Sequence, residues 1–389
     1  MMDVYDAIVI GAGIEGSSTA YHIANKGIKK VALLEQFQLG HTRGSSHGAS
    51  RMTRRGYHAQ HFAEMMAEAF KMWEEIEHEV GTQLYIKTGG VHFSAGINIF
   101  LKEVISGLRN LGLRHEILSA AEANSRFDFL KLPSHYMCAI EEDAGILISN
   151  KALDAFHKLF TKRGGKIIEC CQVTKITPGD QLVTLTTTRG EYKTKKLVIT
   201  AGPWSSKMVK PLGLDLPINV VKIDVLYWKV DQLDVFTPGR GDSNRSMGAF
   251  ICHDFDHYYG LPAYEYPGLV KVCFHDGCTV DPDARDAKPN PQSVERVSQF
   301  IDKFLKGVST DPSIVESCMY SITPDKSFLL GHHPKHHNII IGAGFSGHGF
   351  KLAPVVGKIL SELVLDLPPS YNLEPFKLDR FDKHHRSRL

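Results

Sequence analysis

An α/β fold is predicted: a discontinuous Rossmann-like domain carrying a second, mainly antiparallel β domain. Three observations predict it. The chain opens on an apolar strand, a glycine turn, a helix-compatible segment and a second apolar strand, from Val4 to Glu35. A strand and glycine turn return near the end, as Asn338-Ile339-Ile340-Ile341 and then Gly342-Ala343-Gly344. Between them, residues 218–285 are rich in Tyr, His, Asp and Pro. Apolar and polar positions alternate there, as in Val270-Lys271-Val272, which reads as an antiparallel sheet with one polar face.

The opening stretch is the dinucleotide fingerprint in its full setting of strand, glycine turn, helix, strand and acid. Gly11 permits the tight turn, Gly13 lets the backbone approach a pyrophosphate, and Gly16 lets helix and strand pack closely. The helix then presents free N–H groups and its positive end to phosphates. Glu35 lies about 20 residues beyond the glycines, where an acid accepts from ribose hydroxyls.

At 389 residues the chain is too long for one simple core, so two domains are expected. With 45 basic and 43 acidic residues the net charge is +2, and nothing points to nucleic acid or an anionic membrane. No apolar run is long enough to span a bilayer. The N-terminus is not expected to be a signal peptide, because glycines break its apolar run and no basic region precedes it. The seven cysteines form no CxxC pair, so reduced thiols are expected and no metal site is. The terminal Ser387-Arg388-Leu389 is close to the Ser-Lys-Leu address read by the peroxisomal import receptor.

Next along the chain comes a loop rich in Gly, Ser, His and Arg, Gln36 to His58. Residues 60–80 read as a helix with Phe62, Met65, Met66, Ala69, Trp73 and Ile76 on one core-facing stripe. Residues 151–163 read as an amphipathic helix stopped by Gly164-Gly165. Strand-like runs follow at Lys166–Thr174, Gln181–Thr188 and Lys196–Thr200, the last leading into Ala201-Gly202-Pro203-Trp204. Residues 293–307 and Gly349–Leu365 read as helices, the latter apart from Pro354. The cofactor domain is expected to combine 1–85, 148–218 and 320–386, with 86–147 and 219–319 forming the substrate domain and 387–389 the targeting tripeptide.

Four constellations carry chemistry. The first is His47-Gly48-Ala49-Ser50-Arg51-Met52-Thr53-Arg54, a basic loop. The second is Tyr259-Gly260-Leu261-Pro262 with Lys271 and His275, which share a face if they lie on a strand. The third is Cys318-Met319-Tyr320, and the fourth is Gly344-Phe345-Ser346-Gly347-His348-Gly349-Phe350-Lys351. In the fourth, glycines allow close approach and a helix N-terminus follows. Taken alone, each also admits a bland reading: a solvated basic loop, a charged exterior face, a small buried thiol and a surface turn.

Together these motifs resemble the monomeric sarcosine oxidase family over almost the whole length, and within it the peroxisomal branch. The resemblance rests on the opening fingerprint, RGSSHGASR with Arg54 behind it, VITAGPW, YGLP with Lys271 and His275, ESCMY followed by TPD, and GAGFSGHGFKLAPVVGKIL. It implies FAD, held covalently through the cysteine matching Cys318. It also implies a monomeric flavin-dependent oxidase of secondary amino acids such as sarcosine or L-pipecolate, passing two electrons to O2 to form hydrogen peroxide in the peroxisome.

Residue by residue, the resemblance implies that Arg54 and Lys351 bind the substrate carboxylate and that Tyr259, Tyr320 and His275 line the substrate pocket. His47 and Arg51 match positions beside the flavin ring, and Lys271 matches the oxygen-activating lysine. Arg43, Ser45, Ser46, Val173, Gly202, Gly344 and Gly347 are assigned to the cofactor with the fingerprint residues and Lys351. Gly331 departs from the family, whose members usually carry Asp there, and segment 232–256 resembles it weakly although it is expected to border the pocket. Two alternatives stay open: a flavin amine dehydrogenase with a non-oxygen acceptor, and a non-catalytic flavoprotein.

Overall fold

The computed structural model describes residues 4–57, 59–242, 244–254, 257–286 and 289–382. Ser387, Arg388 and Leu389 lie outside the described residues.

Strand β1 (Val4–Ile10), helix α1 (Ile14–Asn25) and strand β2 (Val31–Leu34) form the expected opening unit. Strand β1 lies parallel between β2 and Gly190–Ile199. The parallel core continues to Lys166–Ile168 on one side and His336–Ala343 on the other. Ala7, Ile8 and Val9 are all fully buried, so both faces of the strand are covered, as a parallel sheet requires. Helix α1 packs above the strand because Gly16 has no side chain: a Cβ there would stand 1.9 Å from the Gly11 carbonyl oxygen.

The later glycine turn joins the same sheet. His336–Ala343 pairs in parallel with Gly190–Ile199, and Leu329–His333 closes that edge antiparallel. A short 3-10 turn, Phe350–Leu352, leads into the helix Ala353–Val364, with Pro354 in the first turn where its missing N–H costs nothing. This helix lies against α1, and a Cβ on its Gly357 would stand 2.2 Å from Ser18 Oγ.

One expected strand is two. Lys166–Ile168 pairs with β2, and Val173–Thr177 turns away to pair antiparallel with Val183–Thr187. The break falls at Cys170, which takes a left-handed conformation (φ 51°), while the Cys171 N–H donates to the Glu35 carbonyl. Apolar patterning continues across this corner, which hides it in the sequence.

Helix Gln60–Val80 buries the six stripe residues. The amphipathic segment forms Ser149–Lys162, and residues 293–307 fall in Pro291–Phe304 and the chain after it. A second sheet holds Asn219–Val230, Ala249–Cys252, Tyr258–Tyr266, Leu269–Phe274 and Val308–Ile322 with Gly90–Ala95, His115–Ser119 and Tyr136–Glu141. It is antiparallel except where Ala249–Cys252 meets Gly90–Ala95. Val308–Ile322 runs through residues 319 and 320, between which a domain border was expected. Its antiparallel ladder with Asn219–Val230 extends to Ile322. Among the described residues no helix is long and apolar enough to cross a membrane.

Gly16→Ala should destabilise the fold by about 2 kcal/mol or more, because the clash is with backbone that cannot move aside. Gly331→Ala, whose Cβ would meet only the Leu378 side chain at 3.6 Å, should stay within about 0.5 kcal/mol. Denaturant midpoints of the two variants test the contrast.

Candidate active site

A cavity of about 1370 Å³ runs from the opening glycine turn to the second sheet. Ordinary small-molecule pockets span roughly 300–1,000 Å³, so this one has room for a large cofactor and a small substrate together. Its wall includes Gly11, Gly13, Glu35, Ser45, Ser46, His47, Arg51, Arg54, Val173, Gly202, Tyr259, Lys271, His275, Cys318, Tyr320, Gly347 and Lys351. Residues up to 340 positions apart in sequence, Gly11 and Lys351, thus meet around one space. Gly16, Arg43 and Gly344 do not line it. Gly16 is packed against β1, Gly344 turns the chain at φ 67°, and Arg43 pairs with the exposed Asp286. Ile251 and His253, from the weakly resembling segment, do line it.

At the glycine-turn end, Gly11 takes a positive φ of 96°, and the Ala12 N–H donates to Glu35 Oε2 at 2.9 Å. Helix α1 has no side-chain cap of its own. Ser46 supplies one from the loop, its Oγ accepting from the Ile14 N–H at 3.0 Å. His157, not singled out in the sequence, reaches the Ala12 carbonyl at 3.2 Å and Ser17 Oγ at 2.9 Å. Glu15 also faces the cavity. Both its carboxylate oxygens are buried without a hydrogen-bond partner, and burial raises its carboxyl well above the usual range.

The loop before Arg54 is held by Arg51. Its guanidinium donates to the carbonyls of Ser50 (2.8 Å), Ser45 (3.1 Å) and His47, so it closes the loop on itself. Cys318, a free buried thiol, lies against the same loop, its Sγ 3.7 Å from the Ser45 carbonyl oxygen.

Lys271 sits on the polar face of the second sheet. That face is the cavity wall and not an exterior surface, and Lys271 is only 5% exposed. Its Nζ donates to Ser50 Oγ at 2.7 Å and forms an ion pair with Glu265 at 2.5 Å. Burial, and then Arg51, pull the lysine below its ordinary value, while Glu265 opposes them. For Glu265 burial works upward, but Lys271, the Ala49 N–H and Ser50 outweigh it and hold the carboxyl down at about 2. Sequence reasoning missed Glu265. Its one visible signal was an acid two residues before the turn that leads to Lys271.

A second pair of cations lies in the same cavity wall. Arg54 and Lys351 flank Tyr57, with the Arg54 Cζ 4.1 Å and the Lys351 Nζ 5.5 Å from its ring centre. Neither forms an ion pair among the described residues, and Arg54 Nε and Nη1 are buried without a hydrogen-bond partner. Burial, then Arg54, drive the Lys351 ammonium well below its usual value. The nearest opposing charge is Glu141, which is committed elsewhere: it accepts from the Arg55 and Gly56 N–H groups and contacts His92 at 3.1 Å. Helix Gln60–Val80 braces Lys351, with Trp73 Nε1 donating to its carbonyl at 2.9 Å.

Beside this pair is an aromatic group. Tyr320 Oη lies 3.4 Å from His275 Nδ1, and the Tyr259 ring meets His275 edge-on. Gly347 keeps the space open. A Cβ there would stand 2.6 Å from the Tyr320 ring and 2.8 Å from that of His275. Burial lowers His275 to about 3, with Lys351 contributing, and His47 to about 4, with Arg51 contributing. Both rings are therefore neutral at physiological pH. Such a site can hold a small anion on two cations and keep an adjacent uncharged group against neutral aromatic walls.

The model of the FAD dependent oxidoreductase family matches residues 6–363. Human peroxisomal sarcosine oxidase is 43% identical over 392 aligned positions, covering 100% of this chain and 99% of that one. Monomeric sarcosine oxidase of Bacillus sp. (strain NS-129) is 29% identical, covering 97% of each. Among solved structures, the amino acid oxidase NikD superposes with a TM-score of 0.82 over 97% of this chain and 98% of that one at 23% identity. L-proline dehydrogenase from P. horikoshii gives 0.84 over 100% of both at 20%.

His47 and His275 have folded values below the unfolded 6.5, so the unfolded chain takes up their protons first. Their stability contribution is complete above pH 6.5 and is lost as pH falls, towards about 4 for His47 and about 3 for His275. The slope should approach about 1.4 kcal/mol per pH unit per histidine. His275→Gln should flatten it, as read from denaturant midpoints across that range.

Proposed function

The chain belongs to the FAD-dependent oxidoreductase family and to its sarcosine oxidases, and from that premise we propose that it oxidises small secondary amino acids, sarcosine or L-pipecolate, with O2 as electron acceptor. The observation that carries this reading is half-buried Arg54 beside buried Lys351, two cations sharing one pocket without a carboxylate of their own. A substrate carboxylate completes them. The Arg fork accepts it in a planar, two-bonded way, and Lys351 adds a point charge.

The wall fits FAD on its own terms. The glycine turn leaves room for a pyrophosphate at α1, and Glu35 stands where ribose hydroxyls are bound. The two unpartnered oxygens of Glu15 await a polar neighbour. Gly11, Gly13, Glu35, Ser46, Val173 and Gly202 would hold the dinucleotide, and Cys318 is the candidate for covalent attachment. Bound FAD would accept two electrons from the amine and pass them on.

The protein's own residues do the rest. Arg54 and Lys351 orient the carboxylate, so the amine faces Tyr259, Tyr320 and His275. These neutral groups disfavour an ammonium by desolvation, and the amine is held in the uncharged form that can give up electrons. Loss of two electrons and two protons leaves an imine, which water hydrolyses. Lys271 and Arg51 place fixed positive charge where negative charge builds as O2 takes up the electrons and two protons to give hydrogen peroxide. On this reading the first sheet carries the cofactor and the second the substrate face, the protein acts as a monomer, and Ser387-Arg388-Leu389 is the peroxisomal address.

The decisive experiment is an anaerobic visible spectrum of the purified protein before and after sarcosine, then L-pipecolate. Bleaching of a flavin band is expected, and a band that neither amino acid bleaches overturns the substrate class. Arg54→Ala and Lys351→Ala should each raise KM roughly 10–100-fold, the loss of one charge-assisted bond, without lowering flavin content. Cys318→Ala should release its flavin on acid precipitation; retention there would place the attachment elsewhere.

A further inference from the structure

We propose that Glu265 is the positioning residue for Lys271, supplying the counter-charge that holds the ammonium in the cavity wall and ties it to the Ser45–Arg51 loop. The inference rests on the oxygen reading above and adds a residue that neither the motifs nor the resemblance assigns.

The geometry is a connected set of contacts, to which the Ser50 carbonyl, 3.4 Å from Lys271 Nζ, and a Tyr227 hydrogen bond to Glu265 also belong. Glu265 Oε2 accepts from Lys271 Nζ and from Ser50 Oγ, the latter at 2.6 Å, while Ser50 Oγ also lies 2.7 Å from Lys271 Nζ. Glu265 Oε1 accepts from the Ala49 N–H. Gly48 leaves the space for this oxygen, since a Cβ there would come within 3.0 Å of it. One carboxylate thus joins the second sheet to the loop that carries His47 and Arg51.

The backbone explains why Glu265 can reach. In the hairpin of Tyr258–Tyr266 with Leu269–Phe274, Lys271 pairs with Leu261, and the register then slips before Tyr266 meets Leu269. A bulge re-aims a side chain that regular alternation would place elsewhere, and such irregularities gather beside functional sites.

The other groups facing the ammonium do not replace Glu265. Arg51 repels it, Cys273 is a neutral buried thiol on the same strand, and Tyr227 offers only its ring face, 5.1 Å away. Glu316 is taken up by the hydroxyls of Tyr227 and Tyr266. A buried ammonium without its carboxylate is costly and loses its proton more readily.

The test separates the two half-reactions of the flavin-loaded enzyme. Wild type, Glu265→Gln and Glu265→Asp are reduced anaerobically with amino acid, then mixed with oxygenated buffer across roughly pH 6 to 10, the range leading up to the ordinary lysine value. In Glu265→Gln the pH midpoint above which reoxidation slows should move down by at least about one unit, a tenfold change in the protonation equilibrium. Reduction by the amino acid should stay within about twofold, because Arg54 and Lys351 are untouched. Glu265→Asp, charged but shorter, should recover most of the midpoint, which a merely structural residue would not do. If Glu265→Gln does not retain flavin, Ser50→Ala serves, with a smaller downward shift expected. An unchanged midpoint in the variant tested, while Lys271→Met reoxidises slowly, overturns the role of Glu265 alone. A Lys271→Met enzyme that reoxidises at wild-type speed overturns the oxygen reading and this inference with it.

Discussion

The structure depends on the close approach of its first and last long helices. Gly16 lets α1 settle on the Gly11 carbonyl, and Gly357 lets the C-terminal helix settle on Ser18 of α1. Neither contact survives a Cβ. Because both helices also lie on the parallel sheet that β1 centres, the turns preceding them open on the same side. The fingerprint glycines and the Gly344–Lys351 segment therefore become neighbours across more than three hundred residues. Ligands of open α/β sheets bind at the carboxyl ends of strands for this reason: that is where helix N-termini and glycine turns accumulate.

On that frame the chain places charges it does not fully neutralise, and two cases differ in kind. Lys271 has a carboxylate of its own, so its charge is kept in place whether or not a ligand is present. Arg54 and Lys351 have only the field of Glu141, which is already bonded to two backbone amides and to His92. Glu141 thus fixes the backbone just after Arg54 without capturing its guanidinium. Buried cations left this way are expensive for folding, and an arriving anion recovers the cost.

Neutral groups matter as much. His275, Tyr320 and Tyr259 are kept uncharged by burial, with nearby cations reinforcing the effect on His275. One pocket thereby offers positive charge at one end and uncharged aromatic surface beside it, the polarity that an amino acid with a neutral nitrogen requires. The glycine at 347 is part of that chemistry, since any side chain there would occupy the ground between the two rings.

Much of this was legible in the sequence because it is written in local signals. The fingerprint, the stripe of Gln60–Val80 and the returning strand and glycine turn each depend on spacing within about thirty residues, and each formed where its pattern lay. The motif Lys271 and His275 could be read as an exterior face or a pocket face, because alternation says that two faces differ and not which one meets solvent. Only packing of the second sheet over the cavity decided it. The corner at Cys170 was hidden because apolar patterning runs on through a change of strand partner. Glu265 was invisible for a related reason: a register slip sets where its carboxylate points, and such slips depend on the twist of the assembled sheet. The sequence by itself determined the elements, the cofactor turn and the residue types of the site. The tertiary structure decided which charges share a pocket and which are paired, because burial and distance are properties of the folded chain alone.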